Sequence, residues 1–157
     1  MRTRWLIIDG YSLLHRMEAP RGRARGVGET ARQRLIRRIE ELTGNLADRV
    51  TIVFDGTGEK TSAQEAAAVE VLFSPGDKTA DTVIERLVHE SPDAAGILVV
   101  TSDRAERDTV SASGAQSMSC GDFLALCDHE RIGLAHAAGA TRRKGPKPTL
   151  GDFFPKP

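Results

Sequence analysis

The sequence predicts an α/β fold, a mostly parallel central sheet of about five strands flanked by helices. Three observations carry this. First, Trp5, Leu6, Ile7 and Ile8 form an unbroken apolar run with a β-branched centre, the pattern of a strand buried on both faces of a parallel sheet. Second, the pattern recurs at Val50–Phe54 and at Ile97–Thr101, with amphipathic helical stretches between. Third, each run leads into an aspartate: Asp9, Asp55 and, after Ser102, Asp103. In open α/β sheets the carboxyl edge of the strands is where ligands bind, so these acids mark the working edge.

Taken in order, the first strand is followed by a short helical turn, Tyr11 to Met17, and by an Arg/Gly/Pro loop, Glu18 to Gly28, that carries no periodicity. Glu29 to Leu42 reads as an amphipathic helix with Leu35, Ile36, Ile39 and Leu42 on its inner face, ended by Gly44 as a left-handed cap. The second strand is Val50–Phe54, and Val69–Phe73 reads as a shorter edge strand beyond a polar loop. Ser74 to Asp77 is a turn by composition, and Thr79 or Asp81 opens a helix whose inner face is Val83, Ile84, Leu87 and Val88. A further helix begins near Asp103. Gln116–Ser119 is a short strand, and Ser119 with Asp122 forms an N-cap pair opening a last helix through Cys127. The predicted organisation is a domain over residues 1–136 and a basic, Pro-rich tail over 137–157.

A chain of 157 residues fits one domain that buries about two-thirds of its unfolded surface. Net charge is zero yet uneven: residues 1–49 hold eleven Arg against six acids, whereas residues 50–130 hold five basic against fifteen acidic. An acidic middle between basic ends suits a cation site beside a surface for a polyanion. Cys120 and Cys127, seven apart with no CxxC, read as reduced thiols. No apolar run approaches the roughly 20 residues of a membrane span, and no signal-peptide core is present, so a cytoplasmic protein without membrane contact is expected.

The chemistry is read from Asp9, Asp55, Asp81 and Asp103. Clustered carboxylates repel and raise one another's pKa, so such a grouping requires a cation. Oxygen donors with no His or Cys at ligand spacing suit Mg²⁺ or Mn²⁺, which bridge phosphate oxygens and activate water. The absence of GxxxxGK and GxGxxG argues against a nucleotide-binding enzyme. Ser12 and Ser102 are candidates to orient carboxylates or phosphate, and Lys78 to hold a phosphate; Glu85 and the four His are read as ordinary surface or structural residues. Arg21, Arg23 and Arg25 in the loop, with Arg32, Arg34, Arg37 and Arg38 on the helix, would supply sequence-independent phosphate contacts.

These motifs resemble the NYN domain in its YacP-like branch, a PIN-like nuclease fold: Asp9-Gly10-Tyr11-Ser12, Val53-Phe54-Asp55, Lys78-Thr79-Ala80-Asp81 and Val100-Thr101-Ser102-Asp103, in order over roughly residues 4–128. Family members usually carry Asn at the position of Ser12, a longer side chain with the same capacity to donate a hydrogen bond. The resemblance implies a metal-dependent endoribonuclease acting on single-stranded RNA, with Asp9, Asp55, Asp81 and Asp103 as the acidic centre holding Mg²⁺ or Mn²⁺. The RNA would be mRNA, rRNA or tRNA, with presentation by the ribosome as one route. The alternative is a non-catalytic RNA-binding or ribosome-associated adaptor that keeps the fold. In the tail, Leu150, Phe153 and Phe154 resemble the anchors of a sliding-clamp-binding peptide, which would give the chain a protein partner, or else they fold back on the same domain.

Overall fold

The computed structural model describes residues 3–18, 29–44, 46–56 and 69–139. Five strands and five helices alternate as β1 (Thr3–Asp9), α1 (Gly10–Glu18), α2 (Glu29–Thr43), β2 (Ala47–Phe54), β3 (Val69–Phe73), α3 (Ala80–Glu90), β4 (Ile97–Val100), α4 (Arg104–Ala112), β5 (Gln116–Met118) and α5 (Cys120–Gly139). The strands form one sheet in the order β3-β2-β1-β4-β5. All four pairings are parallel. The edge position expected for Val69–Phe73 is the one β3 occupies, and α5 runs on to Gly139, past the boundary drawn at residue 136.

The period of two along β1 divides the core. Leu6 and Ile8 join Leu13, Leu35, Ile39 and Phe123 on the side of α1, α2 and α5. Ile7 joins Val53, Ile84, Val88, Val99 and Val110 on the side of α3 and α4. Both layers are apolar, and burial at about 25 cal/mol per Å² of apolar surface is what holds the sheet between them. Alternation also fixes the chemistry, because Asp9 shares the parity of Ile7, and Thr101 that of Val99. Both residues are therefore delivered to the α3/α4 side of the sheet.

The helix caps follow the local rules. Thr79 caps α3, its hydroxyl accepting from the Thr82 amide, and Asp103 caps α4, its carboxylate accepting from the amides of Ala105 and Glu106. The Ser119 hydroxyl accepts from Asp122 N at 3.1 Å at the start of α5. Gly44 departs from expectation. Left-handed backbone occurs at Gly56 (φ 145°) and Gly114 (φ 98°), whereas Gly44 lies outside that region. Helix α2 closes instead through Thr43, whose hydroxyl donates to Ile39 O at 2.6 Å while Leu46 N donates to Thr43 O at 3.0 Å. Those bonds satisfy terminal carbonyls without a glycine cap.

Cys120 and Cys127 are both buried and form no disulfide. The loop carrying Arg21, Arg23 and Arg25, and the tail carrying Leu150, Phe153 and Phe154, lie outside the described residues. No helix among the described residues is long and apolar enough to cross a membrane.

Gly10 follows Asp9 directly, and its lack of a side chain is required. A Cβ there would stand 2.5 Å from the ring of Phe54, which is fully buried and has no space to yield. Gly10→Ala should therefore destabilise the fold by about 1–3 kcal/mol, the usual cost of overpacking a close-packed core. A shift of the urea midpoint to lower concentration with unchanged slope is the expected result.

Candidate metal centre

The carboxyl ends of all five strands share one edge, and the strand order turns back between β1 and β4. That reversal opens a crevice at the ends of those two strands. Asp9 terminates β1 there, Thr101 follows β4, Asp81 lies in the first turn of α3 and Glu106 in the first turn of α4. One carboxylate oxygen from each of Asp9, Asp81 and Glu106 lies within 4.8 Å of the others. Asp9 and Glu106 are buried, at 7% and 2% exposure, and Asp81 is half-buried.

Two hydroxyls position the group. Ser12 Oγ donates to Asp9 Oδ2 at 3.0 Å, and the Ser12 amide points at Oδ1 at 3.4 Å. Ser12 thus holds the Asp9 carboxylate through both its hydroxyl and its amide. Thr101 Oγ1 donates toward Glu106 Oε2 at 2.9 Å and Asp9 Oδ2 at 3.3 Å, and accepts from the Asp103 amide at 3.2 Å. A single hydroxyl proton cannot satisfy two carboxylates at once, so the set is one positive charge or one proton short.

Glu106 shows the same deficit. Its Oε1 is buried with no hydrogen-bond partner. Burial first, then a hydrogen bond with Asp81 and the charges of Asp9 and Asp81, push its pKa from 4.5 up to about 9. Asp9 is raised as well, chiefly by burial, against the bonds from Ser12 that pull it down. With all three carboxylates ionised, like charges stand together and no donor is left for Oε1. A shared proton resolves this in one way and a cation in the other. A hard divalent cation fits the donors present: three carboxylates, one carrying an orphaned oxygen, and no thiolate or imidazole among the three.

The sequence-expected residues divide on this geometry. Asp9 and Asp81 are brought together. Asp103 and Asp55 stand at the same edge but outside this group of three. Asp103 is exposed and turns its Oδ1 to cap α4, 2.9 Å from Ala105 N. Asp55 is exposed, and its Oδ1 accepts from Ser74 Oγ at 3.1 Å. Ser74 also donates its amide to Phe54 O at 2.9 Å and is itself buried, tying the ends of β2 and β3 together. Ser102 is exposed beside Cys120, and Lys78 is half-buried in the turn before α3. On α2, Arg32 Nη1 donates to Tyr11 Oη at 3.2 Å with its guanidinium 5.7 Å from the centre of the Phe73 ring. Arg34 and Arg37 are exposed, and Arg38 pairs with Glu41 at 3.8 Å. A cavity of about 440 Å³ lined by Thr3, Arg4, Asp48 and Asp93 lies at the opposite edge of the sheet, away from the acids.

Glu106 is the residue the sequence reading passed over. It falls three residues after Asp103, where a glutamate ordinarily completes a capping box at the surface. The available signal was its phase: Glu106 and Val110 share one face of α4, so the acid sits on the apolar side of the helix.

A PIN-like nuclease fold with an acidic centre at its switch point is the class that this geometry defines. The YacP-like NYN domain family model matches residues 6–152, and the chain belongs to that family. It is 31% identical to the uncharacterized protein YacP of Bacillus subtilis over 122 residues, covering 76% of this chain and 72% of the relative. Two crystal structures of Rae1 (YacP) from B. subtilis are similar in fold. The W164L mutant superposes with a TM-score of 0.65 at 27% identity, covering 94% of this chain and 88% of that one. The other gives a TM-score of 0.64 at 30% identity, covering 87% and 81%.

The raised Glu106 has a consequence for stability. The folded state holds a proton that the unfolded chain releases near pH 4.5, so without metal the protein should lose stability as pH rises from about 4.5 through about 9. Thermal melting in chelator across that range should show a falling midpoint. Glu106→Gln should flatten the fall and raise the midpoint at high pH, and a slope identical to wild type would remove Glu106 as its source.

Proposed function

We propose that the protein is a Mg²⁺- or Mn²⁺-dependent endoribonuclease that hydrolyses phosphodiester bonds in single-stranded RNA, working in the cytoplasm. The observation that carries this reading is the convergence of Asp9, Asp81 and Glu106 at the switch point, with a buried glutamate oxygen that has no partner. In this reading Asp9, Asp81 and Glu106 hold the cation. When bound, Mg²⁺ or Mn²⁺ makes water a better nucleophile and neutralises charge on the phosphate.

The rest falls to the chain's own side chains. Ser12 and Thr101 fix the Asp9 carboxylate through both of its oxygens, so no reorganisation is needed when RNA arrives. Thr101 links Asp9 to Glu106 and keeps their spacing. Asp55 and Asp103 flank the centre at the same edge and would order water around the reacting phosphate or complete a second cation site. Lys78, Ser102, Arg21, Arg23 and Arg25 would contact the strand's phosphates, with affinity that falls as salt rises. Low aromatic content leaves little for base stacking, so selectivity would come from RNA shape or from presentation, for example by the ribosome.

The test is cleavage of a labelled single-stranded RNA with Mg²⁺ or Mn²⁺. Asp9→Asn, Asp81→Asn and Glu106→Gln should each abolish measurable cleavage while the fold persists. Asp103→Asn keeps a side chain that caps helices as well as Asp does, so activity should fall by no more than about 10–100-fold, as for a residue outside the ligand set. Full activity in Asp9→Asn would sink the nuclease reading and leave an RNA-binding adaptor with the same fold.

A further inference from the structure

We propose that the segment Leu150–Phe154 docks into the groove between α1, α2 and α5 of its own domain, as an apolar strap whose direction is set by charge. The inference is independent of the nuclease reading, since it concerns the opposite face of the sheet from the carboxylates.

Helices α1, α2 and α5 touch one another in pairs and leave a groove of about 400 Å³, within the size range of built binding pockets. Met17, Leu42 and Leu124, one from each helix, line it. All three pack against the core yet stay only half-buried, and the exposed Ala125 extends the apolar floor. Half-covered apolar side chains from three elements, meeting in one hollow, form a surface that further burial would stabilise.

The occupant is read from the rest of the sequence. Residues 19–28 offer Val27 alone among large apolar side chains, and residues 57–68 offer none, whereas Leu150, Phe153 and Phe154 form a cluster of three. The family model matches through residue 152, thirteen residues past the end of α5, so the pattern of the domain continues into this segment. Length permits the return. Leu124 lies fifteen residues before Gly139, a rise of about 22 Å along α5, and residues 140–149 span up to about 33 Å when extended.

Charge gives the direction. A segment returning antiparallel to α5 passes Asp128 first, then Ala125 and Leu124, then Gly121. Arg16 lies at the Gly121 end, its Nη2 3.1 Å from where a Cβ on Gly121 would stand, and Arg38 also lines the groove. The segment carries the matching order: Lys147, then Leu150, then Asp152, the one acid of residues 131–157. Lys147 would meet Asp128 and Asp152 the arginines, with Leu150 and the Phe pair as anchors on the apolar floor. Such rim ion pairs face solvent, so they fix register while the apolar anchors supply the stability.

The experiment reads thermal melting of the full chain at fixed pH. Phe153→Ala/Phe154→Ala should lower the midpoint by about 4–8 °C, because two docked rings are lost. Leu124→Ala should lower it as well, and the combined variant should fall by less than the sum of the two losses, since either change already empties the same contact. A second measurement locates the segment. Ala125→Cys/Leu150→Cys should close a disulfide within one chain under oxidised glutathione at low protein concentration, whereas Ala125→Cys/Thr141→Cys should not, because Thr141 follows α5 too closely to reach back. An unchanged midpoint in Phe153→Ala/Phe154→Ala, or losses that simply add, overturns the docking and favours a segment that serves a partner protein. A disulfide that forms only between two chains overturns the intramolecular strap.

Discussion

Three carboxylates held within 4.8 Å of one another, two of them buried, are a standing electrostatic cost, and the architecture around them exists in a form that bears it. Like charges at that spacing separate if they can. Here Asp9 is clamped by Ser12 and Thr101, Glu106 by Thr101 and by its place on the inner face of α4, and Asp81 by the capped first turn of α3. The deficit that remains, an orphaned oxygen and a raised pKa, is the property a divalent cation would satisfy.

The core supplies the rigidity. Residues next to the acids are among the most deeply buried in the chain: Ile8 before Asp9, Phe54 before Asp55, Val100 before Thr101. Phe54 lies 5.3 Å from the Tyr11 ring edge-on and 5.7 Å from Phe73 in a stack, all at the carboxyl edge. Such contacts fix strand ends against each other more firmly than loops could, so the catalytic candidates ride on packed elements. At the far edge, Trp5 donates to Thr51 at 2.9 Å and lies under Arg49, which pairs with Glu70, binding β1, β2 and β3 without any part in the site.

The acids of one edge divide by environment. Asp103 is an exposed cap bonded to two helix amides, which a carboxylate satisfies without help. Asp55 is exposed and bonded to one hydroxyl. Asp9 and Glu106 point inward from the same edge and lose water, and that loss is what makes them candidates to hold a metal. Residue type and position at a strand end were common to both groups; burial distinguished them.

Local pattern was enough to read the strands, the helix starts, the parallel sheet and the edge where the acids gather, because period two, period 3.6 and capping chemistry are short-range properties. The motifs from Asp9 through Asp103 were enough to read the family. Gly44 was misread because a helix end can be closed by Thr43 and Leu46 as well as by a glycine, a choice made by packing. Which carboxylates meet was beyond the sequence for a similar reason. It depends on β4 crossing to lie beside β1, so that Thr101 and Asp9 fall on one face, and on the rotation of α4 that turns Glu106 into the crevice while Asp103, three residues before it, stays at the surface. Those are decisions of the tertiary structure, since only the assembled sheet determines which face of α4 is inside.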